Sequence, residues 1–525
     1  MARMDFLMEY GTPASFLTVF VTLWLVYCLL RMLYNVSPLH PLSHIPGPNL
    51  AAATFLYESW FDLVLGGKYT HKIKQMHEKY GPVVRINPEE LHFNDISFAN
   101  EIYAGPGRKR NKQVHYLNIF AGPTTSSMLA TVEHGHHRVR RSAVNRFFSR
   151  AQISKLESNI KDLASGLCEK MIRLGTRNNA PLDVRTAYSC FSGDVISKYC
   201  FGEPFGFIAQ EEWEPNYRNA LNATQAPVHV FRTFPFLKLL TDIAPLCARW
   251  ASPGIREMLI ESNERMPARI QKARQDSKRG ITETQPSLFA ALLDAPLPEA
   301  EKTDWRLGGE GFIMIAAGTE TTAWTLTVIT FHLLNQPATL NRLRSELQDA
   351  DALNLPWFAL ERLPYMTAVI HEGLRLSYGV SQRISRIAPT ETLVYRGEHN
   401  GRRIEYSIPP GTTMGMSNVI NHHNEDAFPD SDAFIPERWI NVDDAQRRRM
   451  ESCLTPFSKG SRQCLGINLA YCNLYLALTA LTLRVLPWMS LYETTVDDVR
   501  YHSDLFAPLP RKGTKGVRAI ISYPY

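Results

Sequence analysis

Phe457-Ser-Lys-Gly460-Ser-Arg462-Gln-Cys464-Leu-Gly466 frames one thiol with two glycines, an aromatic ring and an arginine, just ahead of a long apolar helical pattern. A lone cysteine is usually a small buried hydrophobe. Five marked positions in one short string argue instead for a ligand loop. A thiolate that binds a haem iron needs backbone N–H groups turned toward its sulfur, and Gly460 and Gly466 are where the chain can turn tightly without a Cβ clash. Phe457 can shield the sulfur from water, and Arg462 can meet a porphyrin carboxylate as a bidentate pair.

Two upstream strings add to this. Glu372-Gly-Leu-Arg375 lies on a stretch from Pro364 to Leu376 with helical apolar spacing at Met366, Val369, Ile370 and Leu374, so Glu372 and Arg375 share a helix face. Alone, such a pair is most often a solvated surface contact. Phe434-Ile-Pro436-Glu437-Arg438-Trp439 supplies a second arginine in an aromatic, proline-stiffened segment. Ala317-Gly318-Thr319-Glu320-Thr321-Thr322 sits in the run from Gly311 to Leu334, which only Glu320 interrupts apart from His332. Its apolar positions (Phe312, Ile315, Ala316, Ala323, Leu326, Ile329) follow a 3.6 period and predict a long buried helix. That pattern requires neither a carboxylate nor Gly318, which costs about 1 kcal/mol against alanine in a helix interior. A packing notch beside a satisfied polar residue is the plain alternative.

Together these strings resemble the cytochrome P-450 monooxygenases, whose haem loop carries Phe, Gly, Arg, Cys and Gly at the spacings of Phe457, Gly460, Arg462, Cys464 and Gly466. The resemblance implies haem b with Cys464 as the axial iron ligand. It implies a buried triad of Glu372, Arg375 and Arg438 that braces the cysteine loop, a structural role. It makes Ala317 and Gly318 the haem-facing turn of a kinked helix, with Glu320, connected to solvent, and Thr321 delivering the protons that dioxygen activation needs; Thr319 and Thr322 are less favoured. His137-Arg-Val-Arg-Arg141 resembles the segment where most members have Trp, three residues, then Arg; His137 takes the Trp position and Arg141 the propionate-binding one. A basic helical face toward solvent or lipid is the competing reading. Arg386 is the expected further propionate donor, in preference to Arg383.

Composition agrees. The chain has 525 residues, 45% hydrophobic, with Lys plus Arg 57 against Asp plus Glu 51, a net charge of +6. This mild excess suits an anionic membrane or an acidic redox partner, and no basic arm interleaved with aromatics points to nucleic acid. Cysteines at 28, 168, 190, 200, 247, 453, 464 and 472 show no CxxC spacing, the usage of a reducing compartment. Cys453 and Cys472 are expected core residues. Tyr10 to Leu30 carries no charge and is long enough as a helix to cross a bilayer. The acidic Asp5 and Glu9 ahead of it argue against a secretory signal, and Arg31 beyond it places the bulk of the chain in the cytosol. The sequons at Asn35 and Asn222 then stay unmodified. The expected organisation is a tail at 1–9, a transmembrane anchor at 10–30, a proline-rich linker at 31–48 and one haem-thiolate domain at 49–525.

Strand signals are short: Val83 to Ile86, Glu90 to Phe93, Leu393 to Tyr395, Ile404 to Ile408 and Val517 to Ser522. The rest that is long reads as helix, so the expected fold is mostly α with small β-sheets, the cytochrome P-450 architecture, preceded by a single transmembrane helix. Within the family, Pro41 to Pro48, His77-Glu-Lys-Tyr-Gly-Pro82 and Ser377-Tyr-Gly-Val380 look like fungal microsomal biosynthetic members, including the trichodiene oxygenase type. That likeness implies the endoplasmic reticulum membrane and a lipophilic terpenoid, polyketide or alkaloid intermediate that is hydroxylated or epoxidised. Electrons would come from NADPH through a separate cytochrome P-450 reductase, with cytochrome b5 a further donor, since the chain shows no flavin or nicotinamide motif. A desaturase, ring-forming enzyme or isomerase uses the same loop; a haem-binding sensor has no need of Glu320 and Thr321. Expected pocket walls are Phe120 to Leu129, Phe312, Ile313, Ala316 and Ala317, Val380 to Gln382, and Leu505 with Phe506. Phe231 to Leu237 reads either as a stretch dipping into a membrane or as an ordinary helix-loop junction.

Overall fold

The structure is a computed structural model that describes residues 13–177, 180–225, 227–244, 249–278 and 287–523. The expected tail at 1–9, the start of the anchor and Cys247 lie outside the described residues. The first helix, α1 (Pro13–Val36), runs past the expected end at Leu30. Nothing after Leu30 stops it until Ser37-Pro38, because Arg31 stays helical beside Tyr34 and reaches Glu89 at 4.0 Å, whereas a residue before proline leaves the helical region. The helix is about 36 Å long, and Phe16, Leu17, Phe20, Leu23, Trp24 and Tyr27 all project from it exposed.

Six further helices position the site: α2 (His134–Asn145), α3 (Glu157–Arg177), α4 (Val184–Phe201), α5 (Asp304–Asn335), α6 (Pro364–Ser377) and α7 (Ile467–Arg484). The 32-residue α5 is the axis of the core and is buried along most of its length. Its neighbours close on it through glycines. A Cβ at Gly318 would come within 2.8 Å of Ile196 on α4, and one at Gly373 on α6 within 2.2 Å of Ile329. Gly318 is therefore a packing notch between α4 and α5, within a helix assigned continuously from Asp304 to Asn335. Phe312 is likewise buried in the main core.

The sheets are small. Strands β1 (Val83–Asn87), β2 (Glu90–Phe93), β4 (Ile384–Ile387) and β7 (Thr413–Met416) form one sheet in the order β1-β2-β7-β4; β3 (Leu182–Asp183), β8 (Met489–Leu491) and β11 (Arg518–Ile521) form another. Hairpins are made by β5 (Leu393–His399) with β6 (Arg402–Ile408) and by β9 (Ser503–Leu505) with β10 (Ala507–Leu509). Asn400 and Gly401 both take positive φ, 51° and 72°. An Asn-Gly pair of this kind forms a tight hairpin turn whose twist matches the strands it joins. This lets β5 and β6 pair along their whole lengths, His399 opposite Arg402 and Leu393 opposite Ile408, beyond the shorter strands expected.

Candidate active site

The cysteine loop is built by backbone. Gly460 has φ 74°, and a Cβ there would collide with the carbonyls of Tyr103 and Ala104 at 2.1 and 2.5 Å. Cys464 N–H donates to Phe457 O at 2.9 Å and closes the loop. Gly466 differs from expectation: its φ of −84° suits any residue, and a Cβ there meets nothing within 4 Å. Open space, not backbone strain, is what glycine provides at that position. The Cys464 side chain is exposed to a recess while Cys453 and Cys472 are buried. Desolvation pushes its thiol up, opposed by the Gly466 N–H on the sulfur and by the Arg141 charge. Phe457 packs on Tyr471, with ring centroids 5.2 Å apart.

Around this loop stands a group of cations that the protein does not neutralise. Arg462 donates to the carbonyls of Arg110 (3.0 Å), Thr131 (2.7 Å) and Val132 (2.7 Å). Arg141 donates to Gln463 O, Arg386 to Ser385 O and Lys112 to Leu129 O. None of the four has a carboxylate within ion-pair distance among the described residues, whereas Arg383 pairs with Glu58 and Glu90. Burial and the neighbouring Arg386 charge bring Arg462 down to about 9. Burial, with Arg386 and Arg462, also holds Lys112 well below the usual lysine range. His137, one helical turn before Arg141 on α2, is brought to about 2 by burial and then by Arg462, Lys112, Arg141 and Arg386. Leaving buried charges uncompensated is costly. A dianionic ligand with two carboxylates would offset that cost, and the haem propionates are such a pair. The residues present fit the group.

On α5, Ala317 and Thr321 are exposed although Thr319, Glu320 and Thr322 around them are buried. They share one face at i and i+4, so this face looks into a cavity. Thr321 Oγ1 donates to Ala317 O at 2.8 Å. Glu320 turns the other way and is not open to solvent as expected. Its Oε2 accepts from Arg185 Nη2 at 2.8 Å and its Oε1 from Ser189 Oγ at 2.9 Å, both on α4. Of the expected walls, Ile313, Phe120, Leu129 and Phe506 meet in one apolar cluster with Leu117, Tyr116 and Val228. Ser381 N–H donates to Phe506 O and ties the turn after α6 to that cluster.

Behind the loop, Glu372 accepts from Arg375 at 2.7 and 3.0 Å, from Arg438 at 3.1 Å and from the Trp439 indole at 3.0 Å. Burial alone would raise this carboxyl; the Arg375 bonds and the Arg375 and Arg438 charges keep it below the usual range. Arg375 also donates to the carbonyls of His422, Ser431 and Ala433. Thr455 N–H donates to His422 Nε2 at 3.0 Å, which fixes Nδ1 as the protonated nitrogen that donates to Arg375 O at 2.7 Å. The imidazole thus bridges the Glu-Arg helix to the segment that enters the cysteine loop. Sequence reading missed Lys112, Arg185, Ser189, His422 and Trp439; only Trp439, adjacent to Arg438, carried a local hint.

The cytochrome P-450 family profile matches residues 46–490. The cytochrome P-450 monooxygenase ppzE of Metarhizium majus is 39% identical over 84% of this chain and 95% of its own. Conidiogenone synthase of Penicillium rubens is 39% identical over 92% and 94%. N-acetyltryptophan 6-hydroxylase ivoC of Emericella nidulans is 39% identical over 94% and 96%. These relatives are fungal monooxygenases of secondary metabolism, and with the fold and the geometry above they establish that this chain belongs to the cytochrome P-450 family as one of its monooxygenases.

Proposed function

We propose that this monooxygenase holds haem b through the Cys464 thiolate and hydroxylates or epoxidises a lipophilic secondary-metabolite intermediate. The observation that carries the reading is the exposed Cys464 among four cations that lack carboxylate partners. When bound, the haem supplies the activation of dioxygen with electrons from NADPH, delivered by a separate cytochrome P-450 reductase or cytochrome b5. The chain's own part is to bind, orient and deliver protons. Arg462, Arg386, Arg141 and Lys112 would hold the two propionates, and neutral His137 can donate a further hydrogen bond there. The Gly466 N–H stabilises charge on the Cys464 sulfur, and Phe457 keeps water from it. Thr321 presents a hydroxyl on the cavity face, and Glu320 behind it holds a proton-exchangeable carboxyl between Arg185 and Ser189.

Ile313, Leu117, Phe120 and Phe506 give the cavity an apolar wall suited to a lipophilic substrate. The relatives' names span a conidiogenone synthase and an N-acetyltryptophan 6-hydroxylase, and a fungal biosynthetic intermediate of the terpenoid, polyketide or alkaloid type, such as the trichodiene oxygenase type takes, fits that wall. A single-pass anchor α1 in the endoplasmic reticulum membrane, with the haem domain in the cytosol, suits such a substrate. The exposed Phe236, Leu239 and Leu240 after the helix Val228–Thr233 support a second contact with lipid. The test is the reduced carbonyl spectrum of the haem-loaded protein, followed by a screen of candidate metabolites for the spectral shift that marks displacement of the iron's water. Absence of a thiolate-type band would overturn the reading.

A further inference from the structure

The turn Gly122–Ser126 and the residues after it cover the N-terminal half of α5, and two adjacent residues of α5 fix how closely they lie. Gly309 is the steric half: a Cβ there would meet Pro123 O at 2.0 Å and Ser126 Oγ at 3.2 Å, so helix and turn are in backbone contact. Glu310 is the polar half. Its Oε2 accepts from the Met128 N–H at 2.9 Å and pairs with Arg306 at 2.6 Å, and the carboxylate is 2% exposed. Arg306 continues to Glu301 at 3.1 Å, and Glu301 to Arg140 at 2.7 Å and His136 at 2.6 Å on α2. Glu310 lies on the face of Ile313, Ala317 and Thr321, at i, i+3, i+7 and i+11. The residue after Met128, Leu129, packs in the cluster with Ile313 and Phe506.

The far end of the same segment is fastened independently. Arg140 donates to Thr131 Oγ1 at 2.7 Å, Arg462 to Thr131 O and Val132 O at 2.7 Å each, and Lys112 to Leu129 O. Ser127 and Met128 keep further ties, with Arg140 and Thr131 Oγ1 donating to Ser127 O at 3.4 and 2.9 Å and the Thr131 N–H to Met128 O at 3.2 Å, so loss of the Glu310 bond loosens residues 122–128 against α5 without detaching them, while 129–132 stay in place. We propose that Glu310, seated beside Gly309, is the positioning residue that sets the height of the 122–128 turn over α5 and so the bulk of the rigid group that the cavity admits near Ala317. This deepens the proposed haem site and rests on it.

The haem-loaded protein is titrated with imidazole and with 4-phenylimidazole, which differ only in the bulk presented to the cavity, and the two dissociation constants are read from the spectral shift. In Glu310→Ala the ratio should move toward the larger ligand by about tenfold, the consequence of losing one charge-assisted bond. Gly309→Ala should move it in the same direction, because a methyl forces Pro123 away. Glu310→Gln keeps an acceptor for the Met128 N–H and should largely restore the ratio. Amide exchange over 122–128 should quicken in Glu310→Ala while 129–132 keeps its protection. An unchanged ratio, an equal change for both ligands, or exchange that quickens across the whole domain would overturn the proposal. If imidazole gives no shift even in the unaltered protein, the haem reading fails instead.

Discussion

Arg185 Nη2 on α4 holds Glu320 Oε2 on α5 at 2.8 Å, with the same guanidinium over the Trp324 ring at 4.8 Å. The acid beside Thr321 is thus an ion-paired group that must exchange partners to pass a proton. Arg185→Ala should leave a buried carboxylate with Ser189 as its remaining side-chain partner and loosen its seat behind Thr321. Glu320→Gln removes the titratable group, a loss on the order of 100-fold or more in the protonation step. Both variants should lower product formed per NADPH consumed. A ratio unchanged in Glu320→Gln would remove the acid from the pathway.

Cys464→Ala should lose the thiolate-type reduced carbonyl spectrum, because among the described cysteines Cys464 is the exposed one and carries the Gly466 N–H on its sulfur. Cys453→Ala and Cys472→Ala, both in the core, should keep it. The reverse pattern would show that the ligand has been placed on the wrong loop.

The residues legible in the sequence are those whose meaning is local. Glu372 and Arg375 are three residues apart, and the cysteine loop is one short string. Partners supplied by distant chain are not legible: Arg185 lies 135 residues from Glu320, and Lys112 reaches the cation group only because the segment around Leu129 folds back beside the cysteine loop. Strands β4 and β7 were missed: each is four residues long and neither shows the alternation of a half-buried strand. The close approach of Ile196 to Gly318 was likewise not legible, because α4 and α5 are brought together from stretches of chain far apart in sequence.

Glu372→Gln should destabilise the domain by about 3 to 5 kcal/mol, since Arg375 would remain buried with a weakened partner. Trp439→Phe removes one bond to the same carboxylate and should cost about 1 to 3 kcal/mol. Urea unfolding midpoints check both. Glu372→Gln within experimental error of the parent would mean that the carbonyls of His422, Ser431 and Ala433 suffice for Arg375.

Acid should destabilise the fold through its buried imidazoles. Burial brings His422 down to about 3 and His77, His332 and His371 to about 4, against an unfolded value of 6.5. Between those values the unfolded chain binds protons that the folded one excludes, so stability present above pH 6.5 is lost as pH falls, by about 1.4 kcal/mol per unit for each proton. Asp62, raised to about 8 by burial and the Asp504 charge, and Asp194, raised by burial, act in the opposite sense, but the lowered imidazoles outnumber them. The thermal midpoint should fall from pH 7 to pH 5, and less so in His422→Asn. A midpoint that holds or rises over that interval would contradict the assignment of these imidazoles as neutral.

Thr321→Ala should keep haem and ligand binding but divert electrons from product to hydrogen peroxide. Three hydroxyls flank Glu320, and burial separates them: Thr319 lies against Gly193 and is fully enclosed, Thr322 is buried, and Thr321 alone opens to the cavity. In the structure its hydroxyl proton is given to Ala317 O, which leaves the oxygen's lone pairs toward the cavity to accept a hydrogen bond from a group bound there. Removing it takes away that acceptor and the water it would order, without disturbing a core contact, so stability should stay within about 0.5 kcal/mol of the parent. Thr322→Ala, by contrast, should alter packing and leave the peroxide fraction near that of the parent. Peroxide released per NADPH consumed, measured beside product and unfolding midpoint, separates the cases. A rise in Thr322→Ala and none in Thr321→Ala would shift the functional alcohol by one residue and onto a different face of α5; no rise in either would favour a reaction that does not draw on protons from this helix.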